Sequence, residues 1–341
     1  MSHFVLQLVT HLVGEGHQVA VISLAHGEWD HRLGDSGIRT HRLPGPAALR
    51  TVRAADVIHC QQRFLGYISA VLGRRTRTIE HVHNILTDHT TVSYRTPRIV
   101  AVSTVVKTSL LAAYPHLSAH QISVVNNGVR KLDETPRSYG HRSYDLVNVA
   151  RFDEQKDPLL FLELVKSLSG RRDTLRCLWI APGPGPLQEA FLRRRRELDL
   201  DDVVEVSIGD THTHTRERVS DSRVFLLTSR WEGLPLSALE ALASGTPVAT
   251  TPCGEIAHIV AAGSCGVLLD SPAAGHAEIL DSVLGDQDRW QTMSENSFVT
   301  ADDYTESRMT SNIESVYAGI DPAFRQVPPW RQVDQPAGGL R

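Results

Sequence analysis

The sequence has no long apolar run, no excess of either charge, and few lysines or cysteines. Its 341 residues include 35 basic and 39 acidic side chains, which gives a formal net charge of −4. A chain this balanced has no overall field with which to hold nucleic acid, so we expect no nucleic-acid partner. No stretch approaches about 18 uninterrupted apolar residues, so the sequence excludes a membrane-spanning helix.

The four cysteines are scattered and include no Cys-x-x-Cys pair, so neither a disulfide framework nor a zinc site is indicated. They stand at Cys60, Cys177, Cys253 and Cys265. The first residues lack the basic start and the small-residue cleavage site of a signal peptide. Both observations predict reduced thiols in a cytoplasmic protein.

Short β-branched runs alternate with helix-length segments, which is the pattern of parallel strands joined by helical crossovers. A polar stretch, residues 130–145, divides the chain and is interpreted as a linker. We therefore predict an α/β protein with two Rossmann-like domains facing a cleft, over residues 1–129 and 146–320. The proline-rich residues 321–341 predict a disordered tail. Strands are predicted at 19–24, 57–58, 78–82, 99–102, 122–125, 146–150, 175–181, 203–207, 224–228 and 247–249, and helices at 158–168, 187–198 and 236–244, besides an amphipathic first helix that ends at Gly14.

The densest polar signal lies between a predicted strand and the helix 236–244. Two carboxylates, Glu232 and Glu240, stand there eight residues apart, and a turn that contains Gly233 follows the first. The free N–H groups of the first helical turn and the helix dipole attract an anion such as phosphate. Carboxylates on both sides of a phosphate suit the hydroxyls of a nucleotide-sugar. The alternative is structural, with Glu232 as a helix cap and Glu240 as a surface residue.

Two cations follow the first predicted strand of the second domain. Arg151 comes directly after that strand, and Lys156 precedes a helix that Pro158 opens. Together they could clamp a diphosphate at the carboxyl end of the strand. Taken singly, either would be an ordinary solvated charge.

These two pairs belong to a series of short motifs. The series also contains Gly-Glu-Gly-His-Gln-Val at 14–19, Asp-Val-Ile-His at 56–59, Ile-Glu-His-Val-His-Asn at 79–84, Ile-Val-Ala-Val-Ser at 99–103, Val-Asn-Asn-Gly-Val at 125–129 and Gly-Pro-Gly-Pro-Leu at 183–187. In this order, and over nearly the whole chain, the motifs resemble the retaining glycosyltransferases of family 4. The resemblance implies the GT-B fold.

The resemblance also implies a role for each matching residue. Arg151 and Lys156 would neutralise the donor diphosphate, and Glu240 would bind the nucleotide ribose. Glu232 would contact hydroxyls of the transferred sugar, and His83 would contact a sugar hydroxyl beside the reacting centre. The other donor-binding positions that it implies are Gly183, Gly185, Gly233, Leu234 and Leu236.

The implied chemistry is transfer with retention, in which the leaving phosphate takes the proton of an acceptor that attacks from the same face. Cleavage of the sugar–phosphate bond creates a cation-like sugar and a departing dianion, so stabilisation of the leaving group dominates. Neither a metal nor another cofactor is expected, because the two cations and the helix N-terminus supply positive potential there.

The sequence departs from the resemblance in two places. Family members have a β-strand and a Gly-Gly loop before the first helix, whereas Met1 stands at that helix here. Either the chain starts upstream or this domain is impaired. In addition, Gln61 stands where related sequences carry a further histidine after His59, which leaves acceptor handling at that position open.

Several weaker patterns have competing interpretations. Gly183 and Gly185, with Glu205 further on, resemble a dinucleotide-binding fingerprint, but Gln188 replaces the third glycine. The arginine run 193–196 is a solvated helix face, with membrane phosphates or an acidic partner as alternatives.

Two further patterns could suggest a metal. Asp-x-Asp at 199–201 follows a charged helix and is interpreted as a surface turn. The His-x-His pairs at 81–83 and 212–214 have no matching partner set nearby in the sequence.

The sequence therefore predicts a retaining glycosyltransferase that uses a nucleotide-sugar donor, expected to be UDP-linked. The acceptor is a hydroxyl of a sugar, a lipid or a small metabolite, with peripheral membrane contact as an option. The principal alternative is a truncated or non-catalytic homologue that binds nucleotide or acts as a partner subunit. A third hypothesis is an NAD-dependent oxidoreductase.

Overall fold

The structure is a computed structural model that describes residues 3–24, 33–34, 37–72, 75–85, 93–131, 135–270 and 273–321. Helices and strands alternate through these residues, and every pairing between the described strands is parallel. The predicted α/β class, with parallel sheets in two Rossmann-like domains that face a cleft, is confirmed.

The N-terminal domain contains two separate parallel sheets. Its elements are α1 (His3–Gly14), β1 (Ala20–Ser23), β2 (Arg39–Arg42), α2 (Pro46–Ala54), β3 (Ile58–Cys60), α3 (Arg63–Val71), β4 (Thr78–Val82), β5 (Arg98–Ala101), α4 (Thr104–Ala113) and β6 (Ile122–Val124), with short 3-10 helices at Arg75–Arg77 and Ala119–Gln121. Strand β1 pairs with β2, and the other four strands form a sheet in the order β3-β4-β5-β6.

Helix α1 packs against both of these sheets. Phe4 and Leu8 belong to the same buried cluster as Ile79 of β4, whereas Val9 packs with Ile38 beside β2. These positions follow the helical spacing of the apolar stripe that the sequence shows. Among the described strands, β1 and β3 do not pair with each other, and residues of both line one cavity. The interruption lies where the resemblance expects a further, central strand.

The C-terminal domain has one six-stranded sheet with helices on both faces. Its elements are β7 (Tyr144–Val149), α5 (Pro158–Ser169), β8 (Cys177–Ala181), α6 (Gln188–Glu197), β9 (Val204–Ile208), α7 (His212–Ser220), β10 (Ser222–Leu227), α8 (Leu236–Ala243), β11 (Val248–Thr250), α9 (Gly254–Gly263), β12 (Gly266–Leu268), α10 (Ala273–Gly285), α11 (Gln287–Thr300) and α12 (Glu306–Ala318), with short 3-10 helices at Tyr139–His141 and Ala301–Tyr304. The strand order is β12-β11-β10-β7-β8-β9.

An aromatic cluster fixes the strands that carry the cleft residues of this domain. Trp179 of β8 lies with its ring centroid 5.1–5.6 Å from those of Phe152, Phe161 and Phe191. All four rings are fully buried. Because Phe152 follows directly on Arg151, this core holds the start of the β7–α5 loop in place.

The last helix, α12, returns to the N-terminal domain. Its Tyr317 belongs to the same buried cluster as Phe4 of α1. Just before it, Val129 N donates to the Tyr304 carbonyl at 2.8 Å, and Glu306 N donates to the Val129 carbonyl at 3.1 Å. The chain thus crosses between the domains at two adjacent places. The predicted division at 130–145 does not include the second crossing.

The predicted strands and helices agree with the structure to within a few residues, with specific differences. Strand β7 begins at Tyr144, inside the predicted linker, and Arg142 is buried there with hydrogen bonds to the Ser222 and Gly245 carbonyls. The sequence pattern does not predict β2, β12, the helices α2, α3, α4 and α7, or the helices after α8. The predicted disordered tail lies outside the described residues from 322 onward.

Candidate active site

A cavity of about 1650 Å³ opens between the two domains and extends into the N-terminal domain between β1 and β3. Ligands of open parallel sheets bind beyond the carboxyl ends of the strands. The β3–β6 sheet and the C-terminal sheet both present such ends to this cavity. Most of its lining residues belong to the N-terminal domain, and the C-terminal domain contributes residues of the β7–α5 and β10–α8 loops and the start of α8. The predicted site residues that line the cavity are His83, Arg151, Lys156, Glu232, Leu234 and Leu236. The predicted positions Gly183, Gly185, Gly233 and Glu240 are not among the lining residues.

Two loops of the C-terminal domain build what we call the charged wall, consisting of Lys156, Glu232 and the start of α8. Lys156 lies on the β7–α5 loop and Glu232 on the β10–α8 loop. Hydrogen bonds join the loops directly: Arg230 N donates to the Gln155 carbonyl at 2.8 Å, and Thr228 Oγ1 donates to the Lys156 carbonyl at 3.0 Å. The two motifs that the sequence places 76 residues apart are therefore one structural unit.

Glu232 is buried, and both oxygens of its carboxylate accept hydrogen bonds. Lys156 Nζ donates to Oε1, Ser229 Oγ donates to the same oxygen at 2.7 Å, and Gln155 Nε2 donates to Oε2 at 3.3 Å. The side chains of Lys156 and Glu232 are only 14% and 5% exposed, so this is a compensated, mostly buried ion pair. An ammonium group has three donors, so Lys156 can hold Glu232 and still reach an anion in the cavity.

The N-terminus of α8 faces the same cavity. Pro235, which precedes the first helical residue Leu236, makes no side-chain cap hydrogen bond. The first-turn N–H groups therefore remain available, which makes this helix end an anion-binding position. Glu232 is held elsewhere and does not cap the helix, so the structural alternative for that residue is wrong.

Gly233 and Asn127 bring the N-terminal domain against this turn. A Cβ atom on Gly233 would lie 2.3 Å from the His83 carbonyl oxygen, so only glycine lets the two backbones approach this closely. Asn127 Nδ2 donates to the Leu234 carbonyl at 2.7 Å, while its buried Oδ1 has no hydrogen-bond partner among the described residues. The sequence contains Asn127 in a recognised motif but gives no signal for this interdomain contact.

Arg151 occupies the rim of the cavity. Its side chain is 58% exposed and donates to Asp153 Oδ2 at 2.7 Å and to Gln155 Oε1 at 3.3 Å. Exposed ion pairs of this kind contribute little to stability, so the guanidinium can exchange its partners for a ligand at small cost.

The two glycines of the β8–α6 loop differ in their surroundings. A Cβ atom on Gly185 would lie 2.7 Å from the Phe152 carbonyl oxygen, whereas one on Gly183 would meet no heavy atom within 4 Å. Gly185 is therefore required for packing of the loop. At Gly183 the backbone is open to the approach of another molecule.

Glu240 lies beside the cavity and has a partner that the sequence does not reveal. Its Oε1 accepts a hydrogen bond from His212 Nε2 at 2.6 Å, and its side chain is 13% exposed. The His212 ring in turn lies 3.7 Å, centroid to centroid, from the ring of His3 at the start of α1. The sequence interpretation treats His212 only as a weak metal candidate.

On the opposite side of the cavity lies the histidine wall, which we define as His59, Gln61 and His83, with His81 packed behind it. His59 Nε2 and His81 Nδ1 are 3.0 Å apart, and the His81 and His83 rings stack at 4.2 Å. Tyr317 Oη lies 2.6 Å from His59 Nδ1. The sequence identifies His83 through resemblance alone, and no local pattern points to Tyr317.

Burial keeps these three rings neutral. Burial, reinforced by the charge of His83, lowers the pKa of His59 to about 3, and burial lowers that of His83 to about 4. The pKa of His81 lies well below its usual range for the same reasons. The histidine wall therefore carries no charge near neutral pH.

The weaker sequence patterns have structural explanations. Asp201 accepts a hydrogen bond from Arg195 Nε at 2.7 Å, and Glu205 accepts one from Tyr144 Oη at 2.7 Å. In the part of the chain that the structure describes, no three His, Cys, Asp or Glu side chains are grouped to hold a metal ion. No helix within the described ranges has the length and apolar character needed to cross a bilayer.

The chain is similar to known proteins in both sequence and fold. Residues 133–299, just under half of the chain, match the family model "Glycosyl transferases group 1". The chain is 27% identical over 253 residues to the D-inositol 3-phosphate glycosyltransferase of Thermobispora bispora, covering 68% of this chain and 58% of that protein. It is 28% identical over 197 residues to the MMP alpha-(1->4)-mannosyltransferase of Mycolicibacterium hassiacum, covering 57% and 46%. The crystal structure of Anabaena HepE in complex with UDP-glucose is similar with a TM-score of 0.75, at 15% identity, over 94% of this chain and 96% of that one. The fold is GT-B.

The GT-B architecture confirms the predicted arrangement of two domains around a cleft. The family match begins before β7 and ends within α11, so it contains the charged wall but not the histidine wall. The chain spans between 32% and 60% of the length of the first four curated relatives that it matches. The family match therefore falls on the domain that carries Arg151, Lys156, Glu232 and Glu240.

Proposed function

We propose that this GT-B protein is a retaining glycosyltransferase, similar to family 4, that transfers a hexose from a UDP-linked donor to an acceptor hydroxyl. The observation that carries the proposal is the convergence in one cavity of the Lys156–Glu232 pair and the N-terminus of α8, with His83 opposite. Cations and helix N–H groups suit a diphosphate, and a carboxylate beside them suits sugar hydroxyls.

The choice of donor rests on similarity. The HepE structure was solved with UDP-glucose, and a second HepE structure was solved with UDP and glucose. Because Arg151, Lys156 and the start of α8 line the C-terminal side of the cavity, the acceptor would enter from the histidine wall. A sugar, a lipid or a small metabolite all remain within the proposal.

In the proposed reaction the charged wall stabilises the leaving group. As the sugar–phosphate bond breaks, negative charge grows on the diphosphate next to Lys156, Arg151 and the first turn of α8. Glu232 lies beside them, where it can interact with the sugar as the ring gains positive charge. The departing phosphate takes the proton of the acceptor hydroxyl, so the new bond forms on the face from which the old one leaves. Since these groups already supply positive potential, we expect turnover to survive EDTA.

The test is binding of UDP to the whole chain by isothermal titration calorimetry, followed by hydrolysis or transfer of UDP-glucose. Lys156→Ala should weaken UDP binding by roughly 10- to 150-fold, the effect of losing one charge-assisted hydrogen bond. Lys166→Ala is the matched control, because Lys166 is exposed on α5 and does not line the cavity. Equal UDP affinity in the wild type and both variants would contradict the proposal.

The same measurements separate the alternatives. A non-catalytic homologue would bind UDP with the Lys156 dependence but would neither hydrolyse nor transfer the sugar. An NAD-dependent oxidoreductase would bind NAD instead. Glu205, the acidic residue of the dinucleotide pattern, already accepts hydrogen bonds from Tyr144 and Arg218, which disfavours a role with a ribose.

A further inference from the structure

The same side-chain contact occurs twice where β3 and β4 lie next to each other. The strand register aligns His59 with Ile79, so the residue two positions further along β4 from its partner is His81. His59 contacts His81 in this way, and one pleat later Gln61 Oε1 contacts His83 Nε2. Gln61 is the position at which the sequence departs from the resemblance.

The ring of His83 is held on three sides. The His81 ring stacks on one face at 4.2 Å with an interplanar angle of 24°, and the Phe4 ring meets it edge-on at 4.9 Å and 67°. Gln61 occupies Nε2. His81 is fixed in turn by His59, so the position of the ring is well determined.

No carboxylate among the described residues contacts His59, His81 or His83. Tyr317 hydrogen-bonds to His59, and Arg151, Lys156 and Glu232 face the cluster across the cavity without contacting it. Each ring is therefore neutral near pH 7, as its burial requires. A neutral imidazole carries its proton on one nitrogen only, and the hydrogen bond at one nitrogen decides the state of the other.

We propose that Gln61 is a positioning residue that fixes His83 in the tautomer with its proton on Nε2. The amide oxygen faces Nε2, and a carbonyl oxygen can only accept a hydrogen bond. Nδ1 then carries an unprotonated lone pair. Because His83 lines the cavity, this atom accepts a hydrogen bond from a substrate hydroxyl and cannot donate one. The role toward substrate rests on the proposed function, whereas the tautomer itself does not.

Long-range ¹H–¹⁵N correlation NMR of protein labelled with ¹⁵N-histidine reports the tautomer directly. The chain has 17 histidines, so the His83 signals are assigned by their loss in His83→Gln. In the wild type at pH 7 we expect the pattern of a proton on Nε2. Gln61→Ala should give a mixture of both tautomers, and Gln61→Glu should keep the Nε2 proton and raise the pKa of His83, because a carboxylate favours the imidazolium.

Gln62→Ala is the matched control, since Gln62 is adjacent to Gln61 in the chain and its side chain is exposed. It should leave the His83 signals unchanged. A wild-type spectrum with the proton on Nδ1, or a Gln61→Ala spectrum equal to the wild type, would overturn the proposal. A far-ultraviolet circular dichroism spectrum and thermal unfolding of each variant identify any that fails to fold, in which case Gln61→Glu alone decides.

Activity provides a second, separate readout. An equal mixture of tautomers halves the competent population of the free protein, so kcat/KM of Gln61→Ala should fall by about twofold from this cause alone. The NMR spectra are recorded without substrate, so a protein that transfers no sugar still tests the tautomer. Conversely, an unexpected tautomer leaves the Lys156 binding result unaffected.

Discussion

The two walls of the cleft hold their polar groups in opposite ways. The charged wall keeps its ions, pairs them with each other and adds the partial charge of a helix end. The histidine wall contains three titratable rings, yet burial keeps all of them neutral. A site divided in this manner can bind a charged phosphate on one side and the hydroxyls of a sugar on the other.

The two walls should therefore differ in how acid affects their contribution to folding stability. The loss of stability from the histidine wall at low pH is the largest effect that we expect. Burial holds the pKa of His59 at about 3 and that of His83 at about 4, whereas unfolded histidines titrate near 6.5. Below pH 6.5 the unfolded chain binds more protons, so stability is complete above that pH and is lost as the pH falls toward the folded pKa values. Between pH 7 and pH 5 we expect a loss of about 2 kcal/mol for His59 and for His83.

Urea unfolding followed by circular dichroism at pH 7, 6 and 5 measures this dependence. His81→Gln should make the loss of stability with falling pH smaller, because burial lowers the pKa of His81. His120→Gln is the control, because His120 is exposed. If the free energy of unfolding were the same at pH 7 and pH 5, the neutral character of the histidine wall would have to be abandoned.

A second experiment tests whether the close approach of Gly233 to the His83 carbonyl is needed for stability. Gly233→Ala places a methyl group against the His83 carbonyl, so backbone must move and we expect a loss of about 1–3 kcal/mol in unfolding free energy. Gly183→Ala is the matched change at an open position and should alter stability by less than about 0.5 kcal/mol. Equal stability of the two variants in urea would mean that the walls separate freely in solution.

The smallest effect that we expect is a difference in kinetics between variants of Glu232 and Glu240, two carboxylates of the C-terminal domain. Glu232→Gln should lower kcat by about tenfold, because the carboxylate interacts more strongly with the cation-like sugar than with the bound donor. Glu240→Gln should raise KM by several-fold and keep kcat, because ribose hydroxyls do not change during the reaction. Steady-state kinetics, or donor hydrolysis in the absence of an acceptor, gives both constants. Equal small changes in both variants would refute this division of roles.

The sequence predicts the fold and the charged wall for a physical reason. Carboxyl ends of parallel strands meet at one edge of a sheet, so polar residues that follow such strands, Lys156 and Glu232 among them, come together. Side-chain pairing between distant segments has no comparable signal. The contacts of Gln61 with His83 and of His212 with Glu240 depend on strand register and helix placement, which periodicity does not encode. Arg142 shows the same limit, because a buried arginine in a polar stretch looks like an exposed one until its carbonyl partners are known.

The double crossing of the chain at Val129 and Glu306 limits how the two domains can move. The two covalent connections lie side by side and are hydrogen-bonded to each other. Such a pair acts as a hinge, because it permits rotation of one domain about the line through both connections and opposes sliding of the domains past each other. The far side of the cavity would then widen most during such a rotation. A cut between residues 300 and 306 would remove one of the two connections and leave the domains joined by a single covalent connection, while α12 still packs on α1.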